Sequence, residues 1–88
     1  AFIALPGGFG TLEELLETIT LKQLRYHAKP IAILDTQGYY DPLVRQFERM
    51  FEAGFVKPKY KRLYYLTPDP DEALDYIERG VAEGRAGE

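Results

Sequence analysis

The chain has 88 residues, a net charge of −3 and a pI near 5.2, which bound it to one small domain and argue against nucleic acid as its main partner. Its 45% hydrophobic and 14% aromatic content suits a folded core rather than disorder, though a core this size is marginal alone. There is no cysteine, so no disulfide framework and no thiolate chemistry. No apolar run reaches the length of a membrane span and no signal peptide is visible, so the default expectation is the cytoplasm.

Residues 1–5 read as a buried strand, uniformly apolar as strands covered on both faces are. The run enters Leu5-Pro6-Gly7-Gly8-Phe9-Gly10-Thr11-Leu12-Glu13-Glu14, where three glycines fall within four residues. Leu12, Leu15, Leu16 and Ile19 follow at helical spacing, giving strand, glycine turn, helix N-terminus. Glycine puts no side chain in a ligand's way. The free N–H groups of a first helical turn, with the positive dipole end, attract anions. Gly7, Gly8, Gly10 and Thr11 are therefore the expected phosphate cradle. Thr11 and Glu14 also fit a capping box, which needs no ligand. Three glycines ahead of one cap, and the stiffening Pro6, favour the cradle.

The helix is expected over 12–27, with its stripe at Leu12, Leu15, Leu16, Ile19 and Tyr26, stopped by Lys29-Pro30. Leu21 and Leu24 lie off that stripe, so this helix is expected to be buried on two sides. Ile31 to Leu34 form a second apolar strand. Its exit loop, Asp35-Thr36-Gln37-Gly38, shares the glycine turn's sheet edge if the strands are parallel. Asp41 is expected to cap a helix beginning at Pro42, with Leu43, Val44, Phe47, Met50 and Phe51 inward. Gly54 suits the C′ position and Phe55 the hydrophobic contact beyond it. Lys57, Lys59, Lys61 and Arg62 read as a solvated basic loop. Leu63 to Leu66 form a third strand. Asp69-Pro70-Asp71-Glu72 opens a last helix with stripe Ala73, Leu74, Ile77 and Val81, and a fraying tail is expected from Gly84.

The order βαβαβα implies a parallel α/β sheet. Right-handed crossovers in one direction would put the helices on one face and leave the other bare, although the strands look doubly buried. Residues 1–88 are therefore expected to be the C-terminal part of a single Rossmann-like, doubly wound nucleotide-binding domain whose N-terminal half is absent.

The run Pro6-Gly7-Gly8-x-Gly10-Thr11-x-x-Glu14 resembles the PGGxGTxxE signature of the Lonely Guy family of cytokinin-activating phosphoribohydrolases, often misnamed possible lysine decarboxylases. Gln23-Leu24, His27, Lys29-Pro30, Gly38-Tyr39-Tyr40 and Gly54-Phe55 are similar to later landmarks of that family, so the resemblance covers most of the chain. It implies hydrolysis of a cytokinin riboside 5′-monophosphate to free base and ribose 5-phosphate, without a cofactor. It also implies a homodimer, here through helix 12–27, and an Arg in an upstream half that works with the motif Glu. That Arg has no counterpart in these residues, so the chain alone is expected to be inactive.

The residues are compatible with that chemistry. No Lys follows Gly10 as a P-loop requires, and position 13 is Glu where a dinucleotide fingerprint needs glycine. A nucleoside monophosphate such as AMP suits the short cradle better. Glu14 is disfavoured beside a phosphate but suited to the adjoining ribose. There a carboxylate would stabilise the positive charge of an oxocarbenium-like state and orient water. Glu13 is the neighbouring alternative, and the motif spacing favours Glu14. No His/Cys cluster suggests a metal. His27 is expected to be structural, Lys22 and Lys29 lack a pyridoxal-phosphate context, and Tyr39, Tyr40, Tyr64 and Tyr65 are expected to pack. The alternative is a non-catalytic carrier of a nucleotide or molybdenum cofactor on the same fold, which has no need of a carboxylate at position 14.

Overall fold

Three short strands, β1 (Phe2–Ala4), β2 (Ile31–Leu34) and β3 (Tyr65–Thr67), lie parallel in the order β1-β2-β3. The register sets Phe2 opposite Ile31 and Ile33 opposite Leu66. Helices α1 (Phe9–Gln23) and α2 (Asp41–Glu52) are the crossovers, and α3 (Pro70–Ala86) follows the last strand. The structure is a computed structural model; it describes the backbone of residues 1–86 and side chains through residue 81.

All four residues of β2 are buried, because it is the middle strand and is covered on both faces. Ile31 and Ile33 join Ala4, Leu15, Tyr40 and Phe47 in one cluster under α1 and α2. Alternation along the strand turns Ala32 and Leu34 to the opposite face, where α3 packs on β2 and β3. The expectation of a bare second face is thus corrected. The crossover helices α1 and α2 lie together on one face, as the handedness rule requires, and α3, which follows β3, packs on the other. It comes close there: a Cβ on Gly80 would lie 2.7 Å from the Pro30 ring.

The helix ends differ from expectation in instructive ways. α1 begins three residues early, with Gly8 as its N-cap and no side-chain cap. It stops at Gln23, where Arg25 takes a left-handed φ of 68°. The Arg25 N–H donates to Lys22 O (3.0 Å) and the Tyr26 N–H to Leu21 O (2.9 Å). This is a Schellman stop. An arginine stands where glycine is usual, so the sequence concealed it. Tyr26 consequently leaves the helix and is 76% exposed rather than core. The chain then folds back through His27, whose Nε2 donates to Thr18 O (3.0 Å) while Nδ1 accepts the Lys29 N–H (3.2 Å). A carbonyl only accepts, so these contacts select the neutral Nε2–H ring.

α2 begins at Asp41 itself, capped by Tyr40, so Asp41 is not the cap. It ends as expected on Gly54 (φ 83°), with the Phe55 N–H on Met50 O at 3.0 Å. Phe55 makes no hydrophobic closure; it is 85% exposed. The basic residues Lys57, Lys59, Lys61 and Arg62 are exposed around a 3₁₀ turn, Pro58–Leu63, which delays β3 beyond the expected Leu63. Asp69 caps α3 by accepting the Asp71 N–H (2.9 Å). Glu72 takes the Tyr65 hydroxyl rather than completing the box. α3 runs past Gly84 to Ala86, and the last two residues of the expected tail lie outside the described residues.

Candidate functional site

The glycine turn lies at the carboxyl end of β1, the edge where open α/β sheets take ligands. The first N–H bond at the helix start is Leu12 to Gly8 O (3.1 Å). The N–H groups of Phe9, Gly10 and Thr11 therefore have no helical acceptor and face outward along the axis. At Gly8 and Gly10 an added Cβ would meet nothing within 4 Å, so these glycines leave open space above the helix end. Gly7 differs. A Cβ there would overlap Thr11 Oγ1 and lie 3.0 Å from Thr11 Cβ, because the threonine is packed down onto the turn.

Thr11 is the third helical residue, not the cap, so the capping-box role for Thr11 and Glu14 falls away. At 100° per residue Glu14 lies one turn below Gly10 and Thr11 on the same flank, and helical side chains lean toward the N-terminus. Glu14 is exposed, and its carboxylate has no hydrogen bond or ion pair among the described residues. Its main-chain oxygen accepts the Thr18 hydroxyl at 2.7 Å. Glu13 is turned to nearly the opposite side of the helix from Thr11. The structure thus brings Gly7, Gly8, Gly10, Thr11 and Glu14 to one end and one flank of α1.

The other flank meets the loop between β2 and α2. Phe9 and Leu12 line a cleft of about 360 Å³ with Tyr39, Tyr40, Pro42 and Leu43, and Gly7 and Gly8 form part of its wall. Here sequence reasoning fell short. Tyr40 is buried and packs as expected, but both hydroxyls reach across to the glycine turn. The Tyr39 hydroxyl donates to Gly7 O, and the Tyr40 hydroxyl donates to Leu5 O at 2.5 Å. Their rings meet edge to face, 5.0 Å apart at 85°. The available signal was position: two tyrosines directly after a strand exit on the glycine turn's own sheet edge.

Asp35 anchors that loop. It is buried, and its Oδ1 accepts the Tyr40 N–H at 2.6 Å. Asp41 hydrogen-bonds to Asp35, and this bond, with partial desolvation and the charge of Asp35, holds the Asp41 carboxyl above the ordinary carboxylate range; Arg45 pulls it partly back. Gly38 permits the tight approach with φ 73° and leaves room for Asp41 Oδ2, which a Cβ would meet at 2.7 Å. Burial and the neighbouring Tyr39 raise the Tyr40 hydroxyl, keeping it a donor.

The remaining candidates are structural. Lys22 donates to Leu63 O (3.1 Å), three turns below the glycines, and burial lowers its pKa. Tyr64 packs on Phe47 and Tyr65 stacks on Tyr76. Among the described residues no group of three His, Cys, Asp or Glu is placed to hold a metal ion, and no helix is long and apolar enough to cross a membrane.

Residues 1–77 match the family model described as possible lysine decarboxylase. The chain is 47% identical over 78 residues, covering 89% of it, to a probable cytokinin riboside 5′-monophosphate phosphoribohydrolase of Oryza sativa subsp. japonica, of which it covers 32%. A second rice protein of that description is 48% identical over 81 residues, 92% of this chain and 33% of the relative. A cytokinin riboside 5′-monophosphate phosphoribohydrolase of Arabidopsis thaliana is 45% identical over 78 residues, 89% of this chain and 36% of the relative. The chain spans about a third of the length of these curated relatives.

Proposed function

The chain belongs to the possible lysine decarboxylase family, and on that premise we propose that its glycine turn and Glu14 form part of a nucleoside 5′-monophosphate phosphoribohydrolase site. The observation that carries the reading is Glu14: an exposed carboxylate with no partner among the described residues, one turn below a helix N-terminus cleared by glycines. Backbone N–H groups of Gly10 and Thr11 hold the 5′-phosphate, each charge-assisted bond contributing about 1.5–3 kcal/mol. The ribose then falls beside Glu14. As the N-glycosidic bond breaks, electrons leave with the base and positive charge grows at C1′. Glu14 stabilises that charge and orients the water that adds to C1′, giving free base and ribose 5-phosphate. A nucleotide carrier of this fold has no use for a carboxylate there.

Full-length protein incubated with AMP and with N6-isopentenyl-AMP is expected to release free base and ribose 5-phosphate from at least one, read by chromatography. Binding without release from either would favour the carrier.

We also propose a homodimer through α1. Leu21 in α1 and its C-cap Leu24 are exposed, Leu24 by 61%, and large apolar side chains on one exposed face mark an interaction surface. Leu21→Glu combined with Leu24→Glu is expected to convert the protein to monomers in sedimentation velocity. An unchanged profile would exclude this face.

A further inference from the structure

We propose that Tyr39 is a positioning residue for anion binding: its hydroxyl fixes the Gly7–Gly8 peptide so that the Gly8 N–H joins the donors at the start of α1. The inference rests on the cradle reading given above. The Tyr39 hydroxyl donates to Gly7 O. A trans peptide is planar, with its C=O and N–H pointing in opposite directions. Holding the Gly7 carbonyl toward the β2–α2 loop therefore turns the Gly8 N–H away from that loop. Gly8 is the N-cap, with φ −100° and ψ −153°. Its N–H thus lies next in line to the unpaired N–H groups of Phe9, Gly10 and Thr11. An added Cβ at Gly8 would meet no atom within 4 Å, so the Gly8 end of this peptide has open space beside it, whereas Thr11 sits against the Gly7 end.

Tyr40 supplies the contrast. Its hydroxyl holds Leu5 O in the same manner at 2.5 Å, but the peptide that follows belongs to Pro6, which has no N–H to aim. Tyr40 is also buried, with its own N–H on Asp35. One tyrosine therefore orients a donor, and the other secures the strand exit. Tyr39 is less encumbered by packing. The residue is 51% exposed, and its ring is held by the hydroxyl bond and an edge contact with Tyr40.

The test compares Tyr39→Phe and Tyr40→Phe in the full-length protein, titrated with inorganic phosphate, AMP and adenosine. Tyr39→Phe keeps the ring and loses one neutral hydrogen bond. It is expected to weaken phosphate and AMP binding roughly fivefold to tenfold, to leave adenosine unchanged, and to raise KM for AMP with kcat nearly constant. Tyr40→Phe is expected to lower the melting temperature while phosphate affinity stays within about twofold. The inference is overturned if Tyr39→Phe leaves phosphate affinity unchanged, weakens adenosine equally, or is matched by Tyr40→Phe. Phosphate titration needs no turnover, so the two readings fail separately. Wild-type protein that binds phosphate through Tyr39 but releases no base would sink the enzyme reading alone. AMP cleavage with an unaltered KM in Tyr39→Phe would sink this inference alone.

Discussion

Glu14→Gln in the full-length protein is expected to cut base release from a nucleoside monophosphate by about 10³-fold while the Kd for AMP stays within about twofold. The amide keeps the shape of the side chain and removes its charge, so ground-state contacts survive and stabilisation of the developing positive charge at C1′ is lost. Folding should be untouched. The residue is exposed, its carboxylate has no partner among the described residues, and the cap that would have given it a structural role is formed by Gly8 instead. Single-turnover release of base and equilibrium binding of AMP are the two measurements. Retained turnover would refute the catalytic assignment. Loss of AMP binding in parallel would make Glu14 a binding group.

Glu14 also shows where the sequence was readable and where it was not. The spacing Gly7-Gly8-x-Gly10-Thr11 predicted a turn leading into a helix, and apolar runs at Ile31 to Leu34 and near Tyr65 predicted the parallel strands; all are present. These features are local, set by glycine geometry and hydrophobic periodicity. The helix start was misplaced because Thr11 looks like a cap, and caps are judged from residue type. In the structure Thr11 is packed on Gly7, and Gly8 is the N-cap from which the helix starts. The stop at Arg25 was hidden because a left-handed arginine carries no compositional mark. The tyrosine hydroxyls at Leu5 and Gly7 depend on contacts 35 and 32 residues apart in sequence. No local pattern encodes such contacts; only the parallel pairing of β1 with β2 brings them to one edge. The cover on the second sheet face escaped for a related reason: the placement of α3 is set by its contacts with β2 and β3, which no local pattern in the sequence records.

Gly7→Ala is expected to be the most damaging single-methyl change to the cradle. Its Cβ would overlap Thr11 Oγ1 and stand 3.0 Å from Thr11 Cβ. Threonine divides between two χ1 rotamers in a helix, but no rotation moves Thr11 Cβ, which would already stand 3.0 Å from the new methyl. Relief must come from the backbone, by lifting the turn off the first residues of α1. That displaces the Gly7 carbonyl from the Tyr39 hydroxyl and the N–H groups from a common focus. Overpacking of this kind costs about 1–3 kcal/mol, and a charge-assisted phosphate bond lost with it a similar amount. The Kd for AMP should therefore rise about 10- to 100-fold, with adenosine binding changed far less. Thr11→Ala combined with Gly7→Ala removes the overlap. The double variant should regain most of the thermal stability lost in Gly7→Ala but only part of the AMP affinity, since the Thr11 hydroxyl is gone. Isothermal titration of both variants with AMP and adenosine decides the matter. A Gly7→Ala protein that binds AMP as wild type would show that the close seat of Thr11 on the turn has no bearing on how the phosphate is held.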